Sequence, residues 1–371
     1  MKCKVFQFIS GLNDGGAETL VKDYACLLDK ERFEVKIVTI HNVTNTANYR
    51  RAIENNLSLI SIYSHYNILT RTFNKIFGRW YVPYRLKKLV EEERPNCIHG
   101  HLVCLKYLKP ISKHIKNVKI FYTCHSLPRL KFEGRSKAEG KAARYLIKHN
   151  GLQLIALHRE MADTMNQMFG INNTVIVKNG CDFSRFCNVD ETKEDIRSSL
   201  NIPQDAYVIG HVGRITKLKN HSFLLDVFAK TKQIRENSYL LIIGSGPLED
   251  EIRQKVESAG LADSAVMLSH RTDIPRLLKA MDVFVFPSLF EGLSVTLVEA
   301  QASGLRCVIS DTINPENVLS KNTVQVDLSK TADEWRDIAM DESIVSNTYG
   351  NLADYDMNTS IKYLETLYLQ D

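Results

Sequence analysis

The chain alternates short apolar runs with longer stretches whose apolar residues recur every three or four positions. Val5-Phe6-Gln7-Phe8-Ile9 opens it as a buried strand. A glycine-bearing turn follows, Ser10-Gly11-Leu12-Asn13-Asp14-Gly15-Gly16-Ala17-Glu18, and then Leu20, Val21, Tyr24, Leu27 and Leu28 mark a helix by their spacing. Strand, glycine turn and helix make the first unit of a doubly wound sheet. Further strands are predicted at 34–40, 97–99, 119–122, 154–157 and 175–177. The pattern restarts at 207–213 and continues at 239–243, 265–268, 283–286 and 307–309. Short apolar strands alternating with helices imply parallel sheets covered on both faces. The expected class is therefore α/β, with two Rossmann-like doubly wound domains over 1–180 and 181–350 and a hinge near 180–201. An amphipathic helix closes the pattern, and segment 351–371 is expected to pack back on the first domain. Ligands in open α/β sheets bind beyond the carboxyl ends of the strands. Two such domains facing each other predict one interdomain cleft.

Composition agrees with two cores rather than one. The 371 residues are 44% hydrophobic, and no 18-residue apolar run is present. The N-terminus runs directly into a strand without the apolar region and cleavage site of a signal peptide. Eight cysteines lie scattered without a regular framework, so a reduced, cytoplasmic protein is expected. Charge is uneven. Residues 1–180 carry 29 Lys and Arg against 14 Asp and Glu, for +15, whereas residues 181–371 carry 19 against 29, for −10. The first half is expected to meet something anionic.

The most informative motif follows the strand at 283–286. It reads Pro287-Ser288-Leu289-Phe290-Glu291-Gly292-Leu293-Ser294-Val295-Thr296-Leu297-Val298-Glu299-Ala300-Gln301-Ala302-Ser303-Gly304. Ser294 suits a helix N-cap and Gly304 the position past a helix end. Free backbone N–H groups at the helix start would suit a phosphate. Glu291 and Glu299 lie at different depths and can accept from two sets of sugar hydroxyls.

This stretch resembles the E-x7-E signature of retaining GT-B glycosyltransferases, and closely that of glycosyltransferase family 4. The likeness extends to His211-Val212-Gly213-Arg214-Ile215-Thr216-Lys217-Leu218-Lys219-Asn220, to Gly244-Ser245-Gly246-Pro247-Leu248, to Arg271-Thr272-Asp273-Ile274-Pro275 and to Ser310-Asp311. Within the family the chain resembles the bacterial capsular and exopolysaccharide transferases. The resemblance implies a GT-B fold and Arg214 and Lys219 as a clamp on the donor diphosphate. The charge argument points the same way. Arg makes forked contacts to phosphate and Lys supplies a compact charge, so the departing diphosphate is stabilised without a metal. The resemblance further implies that Glu291 orients sugar hydroxyls and Glu299 holds the ribose. Gly244, Gly246, Pro247, Leu248, Gly292, Leu293, Ser294 and Val295 complete the donor-binding set.

In the first half Gly16 begins a helix after a strand, where glycine admits a ligand close to the backbone. By resemblance Gly16 contributes a backbone contact to the donor, and His125, which follows a strand, stands beside the donor sugar. Cys97-Ile98-His99-Gly100-His101-Leu102-Val103-Cys104 has soft ligands at short spacing, but no second Cys/His pair follows nearby, so zinc is not expected; the resemblance to family 4 implies cleft lining there instead. Arg71, Lys75, Arg79, Arg85, Lys87 and Lys88 interleave with Phe73, Ile76, Phe77, Trp80, Tyr81 and Tyr84. A second basic tract holds Lys131, Arg135, Lys137, Lys141, Arg144 and Lys148. Such tracts suit an anionic membrane surface or a solvated helix, and no nucleic-acid motif is visible.

The reading is a retaining, metal-independent glycosyltransferase with no cofactor. It moves a sugar from a UDP-linked donor to a glycan or lipid-linked glycan in surface polysaccharide synthesis, in the cytoplasm or peripherally at the inner face of the membrane. A nucleotide-sugar epimerase, a phosphorylase or a non-catalytic nucleotide-sugar-binding protein on the same fold are the competing readings. The first would act on UDP-sugars without an acceptor.

Overall fold

The computed structural model describes residues 2–65, 67–134, 137–269 and 271–370, and Arg135 of the second basic tract lies outside them. The chain divides into two units. One comprises residues 1–179 and 358–371, the other residues 180–357.

The first unit is built on seven strands: β1 Cys3–Ile9, β2 Phe33–His41, β3 Ser58–Tyr63, β4 Cys97–His101, β5 Lys119–Thr123, β6 Gln153–Ala156 and β7 Val175–Ile176. They form one sheet in the order β3-β2-β1-β4-β5-β6-β7, parallel at every pairing. The strand order reverses between β1 and β4, which sets the switch point there. The core includes Phe6, Phe8, Val38, Ile98, Ile120, Tyr122 and Leu154. Each such apolar side chain, fully buried, contributes about 1.5–3 kcal/mol. The helix Met357–Leu369 belongs to this unit from residue 358 onward and buries Tyr368 against the sheet.

The second unit carries six strands: β8 Tyr207–Val212, β9 Ser238–Ile243, β10 Ala265–Leu268, β11 Val283–Phe286, β12 Arg306–Ser310 and β13 Thr323–Val326. Their order is β10-β9-β8-β11-β12-β13, again parallel throughout, with the switch point between β8 and β11. β8 and β11 are buried along their whole length, as continuous apolar runs in a two-sided sheet must be.

Two strands escape the sequence pattern. β3 and β13 are both edge strands, and Ser58, Ser61, Thr323 and Gln325 interrupt their apolar residues. An edge strand buries less and so carries a weaker signature. No helix among the described residues is long and apolar enough to cross a membrane.

Candidate active site

In the second unit three loops leave the carboxyl ends of β8, β9 and β11 and interlock. Gly213 N–H donates to Ile243 O at 2.9 Å, Ile215 N–H to Ser245 O at 3.0 Å, and Leu289 N–H to Leu218 O at 2.8 Å. The glycines of the β9 loop serve this crossing. A Cβ on Gly244, whose φ is +146°, would lie 2.0 Å from Gly213 O, and one on Gly246 would lie 2.2 Å from Ile215 O. Pro247 is exposed, while Leu248 donates its N–H to Ile215 O at 3.3 Å. The β9 turn therefore fixes the course of the β8 loop, whatever else its residues do. Arg271 and Asp273 of the β10 loop pair with each other, with Arg271 Nε 2.7 Å from Asp273 Oδ1.

The charged residues sit on this frame. Arg214 is exposed, as is Lys217. Lys219 Nζ lies 2.7 Å from Glu291 Oε1, both side chains being mostly shielded, and 4.4 Å from the centre of the Phe286 ring. This ion pair bridges the loops of β8 and β11 at the switch point. Glu299 lies one turn inside the helix Val295–Ala302, half-buried and close enough to Cys181 to raise its thiol pKa, after burial itself. Gly292 is exposed, and a Cβ there would meet nothing within 4 Å.

The start of the helix Val295–Ala302 departs from the sequence expectation in one respect. Ser294 occupies the N-cap position, but its side chain makes no capping bond. Its own N–H is taken by Asn317 Oδ1 at 2.9 Å, and Asn317 Nδ2 donates to Gly292 O at 2.9 Å. The N–H groups of Leu297 and Val298 both reach Ser294 O. Among the described residues this leaves Val295 and Thr296 N–H without a partner. Gln301 braces the support. It donates to Leu297 O and Asn317 O, and it accepts from Leu319 N–H and Thr323 Oγ1. The fully buried amides Asn317 and Gln301 therefore shape the Gly292–Ser294 turn. Sequence reasoning missed Asn317, which lies 18 residues beyond Glu299 with no motif around it.

Side-chain caps divide the helices of the chain. Helices preceded by Thr46, Asn67, Thr192 and Thr331 are capped by those side chains, the last three in full capping boxes. Helices preceded by Gly15, Asn220, Leu248 and Ser294, which follow β1, β8, β9 and β11, have no side-chain cap. The rule is not general: the helix Arg159–Phe169 after β6 is capped by His158, and the short helix Ile274–Lys279 after the edge strand β10 has no side-chain cap.

In the first unit Gly16 begins the helix Gly16–Leu27, and a Cβ on it would meet nothing within 4 Å. Internal packing does not demand glycine there. Glu18 folds back over Gly15 and is almost fully buried, which raises its pKa. His125, partly exposed, follows β5. Its Nε2 lies 3.0 Å from His101 Nδ1. From there a line of hydrogen bonds runs under the sheet end. His101 Nε2 meets Gln7 Oε1 at 2.8 Å, and Gln7 Nε2 meets Tyr368 Oη at 3.1 Å. Tyr368 Oη meets His99 Nδ1 at 2.6 Å, and His99 Nε2 meets Thr123 Oγ1 at 2.7 Å.

Burial holds all three histidines neutral. Desolvation, then His125, lowers His99 to about 3; desolvation, then Lys131, does the same for His125, and desolvation carries His101 well below the ordinary range. His99 therefore corrects the sequence reading, which placed it at a strand end and lining a cleft. It sits in the middle of β4, fully buried beneath Tyr368. Cys97 is buried and turns its Sγ toward Tyr368 O at 3.6 Å. No group of three His, Cys, Asp or Glu side chains among the described residues is placed to hold a metal. Gln7 and Tyr368 carried no usable signal, because a Gln inside an apolar strand and a Tyr on an amphipathic helix read as packing.

The two basic tracts differ. Arg71, Lys75, Arg79, Arg85, Lys87 and Lys88 all belong to the helix Ile68–Glu93. On it Leu69, Phe73, Ile76, Phe77, Trp80 and Tyr84 are exposed and fall within about 100° of arc at 3.6 residues per turn. Gly78, Val82, Leu86 and Val90 are buried. Arg79 lies over the Trp80 ring at 4.1 Å. Lys137, Lys141, Arg144 and Lys148 instead form the solvated face of the helix Lys137–Asn150, whose Ala142, Ala143 and Leu146 are buried. Lys131 lies just before it, on the short helix Pro128–Phe132.

Known proteins match over most of this length. Residues 14–185 match Glycosyltransferase Family 4, and residues 192–335 match Glycosyl transferases group 1. A Bacillus subtilis protein named as the glycosyltransferase EpsF is 30% identical over 319 residues, 84% of this chain and 79% of its own. An Escherichia coli UDP-Gal:alpha-D-GlcNAc-diphosphoundecaprenol alpha-1,3-galactosyltransferase is 30% identical over 250 residues, 64% of this chain and 63% of its own. Among solved structures, Anabaena HepE in complex with UDP and glucose superposes with a TM-score of 0.74 at 18% identity, covering 98% of this chain and 99% of that one. The sheets, their switch points and these matches agree: the chain belongs to the family 4 glycosyltransferases and has the GT-B fold.

Proposed function

We propose that the protein transfers a sugar from a UDP-linked donor to a glycan or lipid-linked glycan, with retention of configuration, in the assembly of a surface polysaccharide. The observation that carries this is the Lys219–Glu291 pair at the β8/β11 switch point, beside a helix start with open amides. Phosphate oxygens suit the amides of Val295 and Thr296, with Arg214 and Lys219 supplying positive charge. Glu291, already held by Lys219, orients sugar hydroxyls. Glu299 accepts from the ribose. Gly244, Gly246, Pro247, Leu248, Gly292, Leu293 and Ser294 give the backbone frame, and Gly16 and His125 contribute from the first unit. The acceptor oxygen bonds to the anomeric carbon on the face from which the diphosphate leaves. The bond from that carbon to the phosphate oxygen breaks, and the acceptor proton passes to the departing phosphate. The cations stabilise the growing negative charge, so neither a divalent metal nor a cofactor is required. A UDP donor and a polyprenyl-linked acceptor are in keeping with the Escherichia coli relative, and UDP with the HepE complex.

The helix Ile68–Glu93 is assigned to an anionic membrane surface. It presents a stripe of exposed aromatic and aliphatic side chains and carries six basic ones, with Lys87 and Lys88 on or beside the stripe and Arg79 over the Trp80 ring, and that charge complements acidic headgroups. A lipid-linked acceptor would be met there.

The test is a transfer assay with a panel of UDP-sugars and a polyprenyl-diphosphate glycan, the anomeric configuration of the product being read by NMR. The expected product keeps the donor's configuration. An inverted product, or conversion of the UDP-sugar at the same rate without acceptor, would overturn the proposal.

A further inference from the structure

The buried line of hydrogen bonds beneath His125 has a direction. A neutral imidazole has one N–H and one bare nitrogen, and His99, His101 and His125 are all held neutral by their surroundings. Gln7 turns its carbonyl Oε1 to His101 and its amide Nε2 to Tyr368. A carbonyl only accepts, so the proton of His101 is on Nε2 and its Nδ1 is bare. That bare Nδ1 accepts from His125 Nε2–H at 3.0 Å. On the other side the amide of Gln7 donates to Tyr368 Oη. The hydroxyl proton of Tyr368 is then free for His99 Nδ1, and His99 Nε2–H donates to Thr123 Oγ1. Every proton points the same way, from His125 to Thr123. Turning the Gln7 amide over would reverse all of them together, because no neutral member can make both of its bonds with one proton misplaced.

The register of the sheet brings the group together. Gln7 on β1 pairs with His99 on β4, and His101 pairs with Thr123 on β5. His99 and His101, two residues apart, point to one face. On that face Tyr368 closes the line from the C-terminal helix, and the Tyr24 ring lies 6.1 Å from the His99 ring. Gln7, His99, His101 and Thr123 have no measurable exposure. Four buried polar side chains at the end of an otherwise apolar sheet would be costly unless paired, and each is paired.

From this we infer that Gln7, acting through His101, fixes the tautomer of His125, so that His125 offers a bare Nδ1 as an acceptor to a hydroxyl of the donor sugar. Nδ1 has no partner among the described residues, and Lys131 is the cation that acts on this ring. Gln7, His101 and Tyr368 are positioning residues, since they touch the sugar only through His125. The specificity that follows is for a donor carrying a hydroxyl at that place; a deoxy sugar there forfeits the bond. The inference rests on the reading of His125 as a donor contact.

The experiment uses the full chain labelled with 15N-histidine and long-range 1H–15N NMR at neutral pH, with His125→Ala to assign the resonance. It is paired with kcat/KM for transfer and with UDP affinity. In the wild type His125 is expected to hold its proton on Nε2. Gln7→Met keeps the side-chain volume and removes both bonds. It is expected to mix the two tautomers and to lower kcat/KM about tenfold, with UDP affinity unchanged. Tyr368→Phe, which keeps the ring packed, is expected to do the same to a smaller extent and serves if Gln7→Met fails to fold. A proton on Nδ1 in the wild type overturns the inference. So does a normal tautomer and normal kcat/KM in these variants while His125→Ala is impaired. If His125→Ala transfers normally, the reading of His125 as a donor contact falls, and the inference with it.

Discussion

The carboxyl ends of the two sheets are built in opposite ways. In the first unit the polar groups at the switch point are neutral, buried and joined to one another: Gln7, His99, His101, Thr123 and Tyr368 spend their hydrogen bonds internally, and only His125 at the end of the line is partly exposed. In the second unit the corresponding place holds charge and unpaired amides: Arg214 exposed, Lys219 paired with Glu291, and a helix start without a side-chain cap. The difference teaches how the work is divided. Charge attracts and stabilises an anion over a distance, and a guanidinium adds a forked geometry of its own. A fixed neutral network attracts little, yet it presents one lone pair in one direction.

The largest expected effect comes from removing the charge. Arg214→Ala and Lys219→Ala should each lower turnover roughly 100- to 1000-fold while leaving the circular-dichroism spectrum unchanged. Turnover within threefold of wild type in both would erase the charged half of the comparison. Combining Lys219→Ala with Glu291→Ala should cost less than the sum of the two single changes, because the ion pair couples them.

Next is nucleotide binding. Glu299→Ala should weaken UDP about tenfold by calorimetry, in line with about 1–3 kcal/mol for hydroxyls left without an acceptor, whereas Glu291→Ala should leave UDP affinity near normal and impair use of the sugar. Equal UDP affinity in wild type and Glu299→Ala would remove the ribose role.

Acid should test the buried neutral histidines, three in the first unit and, in the second, His211 on β8 and His221 at the start of the helix His221–Ile234. The folded pKa values of His99 and His125 lie at about 3 and that of His221 at about 4, with His101 and His211 also well below the ordinary 6.5, in each case chiefly by desolvation. Between about 6.5 and about 4 the unfolded chain therefore binds protons that the folded chain does not. Stability is full above that window and is lost as pH falls through it, by up to about 1.4 kcal/mol per pH unit for each histidine. Denaturant midpoints measured from pH 7.5 to 5 should decline accordingly, and a flat profile would contradict burial of these rings.

Smaller again is the membrane term. Vesicles with anionic lipid should retain the protein at low salt and release it as salt rises, each Lys or Arg near the surface being worth about 1 kcal/mol. Replacing Arg79, Arg85, Lys87 and Lys88 with Ser should weaken that retention. Binding to neutral vesicles alone, or none to either, would leave the stripe on the helix Ile68–Glu93 without a membrane role. At the bottom of the scale, EDTA should leave transfer unchanged; loss of activity restored by Mg²⁺ or Mn²⁺ would show that Arg214 and Lys219 do not suffice.

How much of this was legible follows from the same contrast. The second unit writes its site in consecutive residues, because loops that interlock by backbone need Gly244 and Gly246 at fixed places, and because Glu291 and Glu299 flank one helix start. The first unit assembles its site across β1, β4, β5 and the C-terminal helix. Gln7 and Tyr368 are 361 positions apart, and only the register of a folded sheet brings them to one hydrogen bond. Asn317 escaped notice for a related reason. Its role is to hold a turn 23 residues earlier, and a single buried amide has no pattern. The open helix start itself was legible. What was not is that the Ser294 N–H is already taken, which narrows the free amides to Val295 and Thr296.

The return of the last residues to the first sheet bears on how the chain is made. A ribosome delivers β1 through β7 first and residues 180–357 next, and only then the segment that supplies Tyr368. Until that moment Gln7 and His99 lack their shared partner, so the first sheet acquires its last buried hydrogen bonds only after the second unit, an uninterrupted piece of chain, has been made. A released chain ending at residue 357 should therefore show a protease-resistant second domain beside a first one that is cleaved faster than in the whole chain.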